Sequence, residues 1–188
     1  MEYCNFTPLN YLIKTSYKLT AEDFLEFNLY TASKSEINIK KQRNGLIILL
    51  VMIAIMSVYL IVDKNYETLI YPALLAVTVL FFYKKFFKWK LKSGYKKYVA
   101  SVHAEQLDKE ESIEVKKKSI YIKNQSGEGS IDNKDVVELI EISSLYMLLL
   151  KSGTSIVIPK RDLENQETLL AEIKNAGITC RQELDWKW

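Results

Sequence analysis

The chain has 188 residues, of which 48% are hydrophobic and 26% charged, with a formal net charge of +3. That length holds one ordinary domain or a small domain with a membrane anchor, and so small a charge excludes bulk attraction to nucleic acid, although clustered lysines still set a local field. Cys4 and Cys180 lie near opposite ends without metal-ligand spacing, and Met1 precedes polar and aromatic residues, so neither a metal motif nor a cleavable signal peptide is legible.

Residues 1–44 read as an N-terminal segment. Its "FTPLNYLIKTSYKL" has strand-like residues able to pair with a sheet elsewhere. In "LTAEDFLEFNLYTAS", Thr20 is followed three residues later by Asp23, a capping signal for a helix carrying Phe24, Leu25, Phe27, Leu29 and Tyr30. These apolar residues point several ways, so the helix lies either along the inner leaflet of a membrane or against a soluble domain.

Residues 45–90 read as a transmembrane helical hairpin. "GLIILLVMIAIMSVYLIV", Gly45 to Val62, has no charged side chain, and about 18 helical residues span about 27 Å, near the thickness of a hydrocarbon core. Its Leu, Ile and Val residues each favour insertion by roughly 0.3 to 0.6 kcal/mol. The second apolar run, Leu69 to Tyr83, is shorter, and Tyr66 and Tyr71 on one side with Phe86, Phe87 and Trp89 on the other extend it at headgroup level. The loop 63–68 between them is too short for anything but antiparallel neighbours.

Orientation follows from the lysines. Lys34, Lys40, Lys41 and Arg43 precede the first span, and Lys84, Lys85, Lys88, Lys90, Lys92, Lys96 and Lys97 follow the second, whereas the loop holds only Lys64. The positive-inside rule therefore predicts that both termini are cytoplasmic, and a reducing cytoplasm leaves Cys4 and Cys180 as thiols. Residues 91–111 read as a basic juxtamembrane helix and linker, with Gly94 as a candidate bend. Interleaved aromatics and lysines also suit a nucleic-acid surface, but directly after a span Lys84, Lys85, Lys88 and Trp89 fit a headgroup collar that attracts anionic lipid.

From Ser112 the pattern changes to short strands, "SIEVKK", "SIYIKN", "GSI", "DVVELIEIS", "LYMLLLK" and "SIVIP", with turn residues between them. Asp162 or Asn165 then starts a helix with Leu169, Leu170, Ile173 and Ala176 on one face, ended by Gly177. The fold class is thus α+β: a membrane hairpin followed by an antiparallel β domain, residues 112–180, closed by one helix, and a tail, 181–188. This order matches a pleckstrin-homology-like domain.

No catalytic constellation is legible. His103, the single histidine, has Glu105 nearby but no orienting partner, and "GEG", Gly127 to Gly129, precedes no helix that would present amides to a phosphate. Asp108, Glu110, Glu111 and Glu114 read as solvated linker acids rather than a cation site. No cofactor is expected.

"LTAEDFLEFNLYTASKS" before a two-span hairpin, followed by "SIYIKNQSGEGSIDNKDVVELIEISSLYMLLLKSGTSIVIPKRDL" running into a helix, resembles the YcxB-like family of bacterial membrane proteins, with "IVIPKRDL" the most specific piece. The family's aromatic before the "I..I.E" strand is replaced here by Lys134 or Asp135. The resemblance implies a bacterial inner-membrane protein with a cytoplasmic pleckstrin-homology-like domain, and it brings no established activity. Lipid-binding domains of that type carry basic residues where their first two strands join, the place expected here for Lys116, Lys117 and Lys118. Lys160 and Arg161 stand at a strand end, suited to grip a partner carboxylate or to solubilise a turn. The reading is a non-enzymatic membrane adaptor or regulator that binds a protein or the inner leaflet; the alternative is a membrane immunity or accessory protein acting through the hairpin. The bilayer, a protein partner and a second copy of the chain are the expected company, and nucleic acid is not.

Overall fold

Ile13–Lys18 forms strand β1, and its partner lies beyond the hairpin, in β2 (Glu110–Val115). The two run antiparallel in full register, from Ile13 opposite Val115 to Lys18 opposite Glu110. The computed structural model describes residues 13–102, 107, 109–116, 118–124, 127–163 and 165–188. Cys4, His103, Asp108 and Lys117 lie outside the described residues.

The described chain divides into two units. One takes the chain up to Phe24 and resumes after Val102; the other takes Leu25–Val102, with Trp188. In the first unit, β1 and β2 continue into β3 (Ser119–Asn124) and β4 (Gly127–Asp132), giving a four-stranded sheet in the order β1-β2-β3-β4. A 3-10 turn at Asn133–Asp135, capped by the Asp132 side chain, breaks the run. The second sheet has β5 (Val136–Glu141), β6 (Leu145–Leu150) and β7 (Ser155–Pro159) as antiparallel neighbours. Helix α4 (Gln166–Asn175) follows, and then β8 (Cys180–Gln182), which pairs parallel to β5.

The strands of the β domain expected from the sequence fall into two four-stranded sheets, one of them completed by β1 from before the hairpin, and the segment read as tail contributes to a strand. β8 was not legible because a three-residue pairing segment carries no periodicity to detect. Apolar alternation explains the core: Ile113, Val115, Ile120, Leu139, Ile142, Leu145, Leu148 and Ile158 are all buried. Helix α4 closes it with Leu169 and Ile173, whereas Leu170, expected on the same face, is only half-buried. Gly177 has φ +78°, the left-handed conformation that ends a helix where other residues are strained.

Helix α1 (Ala21–Lys34) begins in the first unit, up to Phe24, and continues in the second; it breaks at Ser35, whose side chain caps helix α2 (Glu36–Val62). The capping box predicted for α1 is present: Thr20 N–H donates to Asp23 Oδ2 at 2.7 Å, and Asp23 N–H donates back to Thr20 Oγ1 at 3.4 Å. Leu29, Tyr30 and Ala32 are buried. A turn and a 3-10 segment, Tyr66–Leu69, lead to helix α3 (Ile70–Val102), which passes through Gly94 unbroken. Both α2 and α3 are long and apolar enough to cross a membrane, and α2 buries no residue.

α2 and α3 meet where Gly45 faces Tyr83. A Cβ at position 45 would run into the Tyr83 hydroxyl, so glycine is what lets the ring lie against the backbone of α2.

Candidate functional site

The segment "PKRD" ends β7 and turns through a 3-10 helix at Lys160–Asp162. The two cations there are adjacent in sequence but are held by different carboxylates. Lys160 Nζ donates to Glu141 Oε1 at 2.7 Å, and the side chains are only 12% and 9% exposed. Gln182 Nε2 donates to the other Glu141 oxygen at 2.8 Å, so β8 supplies a second hydrogen bond to the carboxylate. The Lys160 ammonium also stands 4.7 Å from the centre of the Tyr146 ring, a cation–π distance. Burial would raise the Glu141 carboxyl, but hydrogen bonds from Lys160 and Gln182 and the Lys160 charge outweigh it and hold the group below its usual range. Burial, together with the Glu141 charge, pushes the Tyr146 hydroxyl up to about 12.

Arg161 forks onto Asp23, with Nη1 to Oδ1 at 2.6 Å and Nη2 to Oδ2 at 2.7 Å, and Nη2 also donates to the Lys18 carbonyl at 2.7 Å. Asp162 accepts the Lys18 N–H at 3.0 Å. The Asp23 side chain is buried, and burial alone would raise its pKa. The bonds from Arg161 and Thr20 reverse that shift, so the carboxyl lies below its usual range. Each charge here is met by an opposite charge of the same chain. What the arrangement can do is hold: it fastens the end of β1 and the first turn of α1 to the end of β7.

The sequence-predicted contact residues form separate groups. Lys84, Lys85 and Trp89 are exposed on α3, while Lys88 is half-buried with its ammonium 5.4 Å from the centre of the Trp188 ring. Phe86 and Trp89 stack with centroids 6.0 Å apart. In the sheet unit, Lys116 and Lys118 belong to the turn between β2 and β3. That turn joins the second and third strands rather than the first two, because β1 comes from before the hairpin. Lys116 is engaged by Glu114 at 3.6 Å and by the Tyr121 ring at 4.0 Å, and Lys118 is exposed. Lys123 pairs with Glu128 across the β3–β4 hairpin. Among the described residues no three His, Cys, Asp or Glu side chains gather as metal ligands.

Sequence reasoning found Asp23 as a cap and Arg161 as a carboxylate binder but did not join them. They are 138 positions apart, and no local pattern spans that distance. Glu141 and Gln182 were missed: Glu141 sits at the end of an apolar strand and Gln182 in a segment read as tail.

Residues 6–105 match the family described as a domain of unknown function, DUF4181. The chain belongs to the DUF4181 family. Residues 115–173 match the YcxB-like protein family, a stretch that includes "IVIPKRDL". The search of curated proteins and the search of solved structures each gave no match.

The two matches divide this DUF4181 protein at an informative place. The first contains β1, α1 and both long helices; the second runs from the last residue of β2 into α4. The sheet unit is thus assembled from both, and Arg161 of the YcxB-like part binds Asp23 of the DUF4181 part.

Proposed function

We propose that the protein is a membrane-anchored adaptor of the bacterial inner membrane. Its hairpin crosses the bilayer, and its sheet unit, a pleckstrin-homology-like domain on the cytoplasmic side, presents a binding surface to a protein partner or to the inner leaflet. The observation that carries this reading is the surface of α2 and α3. Ile48, Met52, Ile55, Val58, Val62, Leu74, Phe81 and Phe82 are all more than half exposed, Phe81 by 78%. Contiguous apolar surface on that scale exceeds what soluble monomers expose, whereas helices with every internal backbone group paired are suited to hydrocarbon.

The distribution of lysines supports the orientation, since the turn between the helices offers one against the many on α3. The domain reading is supported by the order of four strands, three further strands and a helix. An adaptor role fits a domain whose buried ions are neutralised internally and whose exposed lysines are left for contacts.

The test has two arms. In intact cells a membrane-impermeant maleimide is expected to modify a cysteine replacing Asn65 and to leave Cys180 unmodified; labelling of Cys180 in unlysed cells overturns the orientation. Photo-crosslinkers at Lys118 and Lys134, read by mass spectrometry of native membranes, are expected to capture a protein or inner-leaflet lipid. Crosslinks confined to positions within the hairpin would instead favour action through the bilayer.

A further inference from the structure

The stripes by which α2 and α3 face each other do not close completely. From α2 come Asn38, Lys41, Gly45 and Leu49, spaced three and four residues apart on one helix face; from α3 come Tyr83, Phe87, Lys90, Gly94 and Tyr98 at matching spacing. Between them is a cleft of about 660 Å³, within the range of small-molecule sites. Gly94 contributes to its openness, for a Cβ there would meet nothing within 4 Å.

Its chemistry is graded. Leu49, Tyr83, Phe86, Phe87 and Leu91 make one part apolar and aromatic, and Lys41 and Lys90 bring two positive charges. No carboxylate lines the cleft, and among the described residues neither lysine has an ion-pair partner. The uncharged runs of the two helices are bounded by Arg43 and Lys84, close to Gly45 and Tyr83, so the cleft straddles the level at which hydrocarbon gives way to headgroups.

We propose that this cleft is a binding site for one anionic phospholipid of the cytoplasmic leaflet. The phosphate lies between Lys41 and Lys90, and an acyl chain runs along Phe87 and Leu49. The occupant follows from charge complementarity. A zwitterionic lipid brings a cation that the two lysines repel, and a soluble anion leaves the aromatic wall unused. The inference rests on the membrane reading of the hairpin, which the experiment tests separately.

The full-length protein, purified in a mild detergent, is incubated with equal amounts of phosphatidylglycerol and phosphatidylcholine, and retained lipid is counted by native mass spectrometry. Each lysine is worth about fivefold in attraction for anionic lipid, so phosphatidylglycerol is expected to be favoured by about 25-fold. The double variant Lys41→Gln/Lys90→Gln is expected to abolish that preference, and Gly94→Leu to displace the lipid by filling the cleft. Lys84→Gln/Lys85→Gln, which removes collar charge outside the cleft, is expected to leave the preference in place. Equal retention of both lipids by the wild-type protein overturns the site, as does an equal loss in the collar variant, which would assign the effect to the general field. Carbonate extraction of the wild-type protein separates the two readings: release from membranes overturns the membrane reading and the site together, whereas retention without lipid preference overturns the site alone.

Discussion

A sheet whose first strand lies on the far side of an inserted hairpin makes a definite demand on any fragment of the protein. A fragment beginning at Lys109 keeps β2 to β8 and α4 but lacks β1. It loses Tyr17 and Leu19, which are 2% and 4% exposed, and leaves the backbone edge of β2 unpaired over six residues. Burying a large apolar side chain contributes about 1.5 to 3 kcal/mol, so these two account for about 3 to 6 kcal/mol before the lost strand pairing is counted. Domains of this size are stable by about 5 to 15 kcal/mol in all, so the fragment is expected to be unfolded or loosely packed. The remedy comes from the register. Lys18 lies opposite Glu110, so the end of β1 adjoins the start of β2. Residues 13–24 joined to 109–188 by about 10 Gly and Ser residues, with a mean reach of about 17 Å, restore the strand together with Asp23 for Arg161. Urea unfolding followed by near-ultraviolet circular dichroism is the assay: the joined protein is expected to melt cooperatively, the fragment not. Cooperative unfolding of the fragment at the same urea concentration as the joined protein would refute the reasoning.

Three further outcomes follow from particular contacts. Arg161→Ala leaves the buried Asp23 carboxylate with only Thr20 to bond, and because Arg161 is itself 46% exposed the loss is discounted to about 2 kcal/mol, with Arg161→Lys recovering part of it; pulse proteolysis of the full-length protein reads both, and equal stability of all three would remove the clasp. Glu111 faces the buried Tyr17 across the β1–β2 ladder, and burial raises its pKa from 4.5 despite the Tyr17 hydroxyl. A raised carboxyl pKa means that stability present below the unfolded value is lost as pH rises through the folded one, so Glu111→Gln is expected to stabilise at pH 7 and to give no gain well below pH 4.5; a gain independent of pH contradicts this. Gly45→Ala forces the Tyr83 ring aside and is expected to lower the melting temperature in detergent by several degrees, with Tyr83→Phe restoring part of it because the hydroxyl is the nearest atom; absence of rescue would place the strain elsewhere.

The parts legible in the sequence are those whose signal is local. The uncharged run of α2 needs no partner to be recognised, and the Thr20–Asp23 box is a matter of three residues. Strand alternation in "SIEVKK" and "SIYIKN" likewise survives without knowledge of the neighbours. What escaped was the pairing across distance. β1 reads as strand-like, but nothing in "IKTSYK" names β2 as its partner, and β5 does not announce that it has a second, parallel neighbour in β8. Leu170 and Leu169 are equivalent in hydrophobicity and adjacent on the helix, so only the docking angle of α4 decides that Leu169 is the buried one. The same limit applies to the site. Lys160 and Arg161 were visible as cations awaiting carboxylates, and their partners, Glu141 and Asp23, are set by a fold that brings the end of β7 to the end of β1.

On the proposed reading, in which the hairpin anchors the protein, its insertion between paired strands changes what one cut can release. A domain joined to a hairpin by one linker is released by one cut, whereas here the chain enters the helices from β1 and returns to β2, its hydrogen-bonded neighbour. A nick beside Lys109 leaves the β2-to-β8 piece bound by the six-residue ladder with β1 and by the Arg161–Asp23 fork. Release then requires β1 to detach from the sheet, which exposes Tyr17 and Leu19 and costs as much as the loss of the strand itself. Limited proteolysis of membranes at that linker is accordingly expected to yield two fragments that remain in the pellet together until urea is added. Appearance of the C-terminal fragment in the supernatant without denaturant would mean that β1 does not hold the domain, and the insertion would then be a matter of chain order and not of attachment.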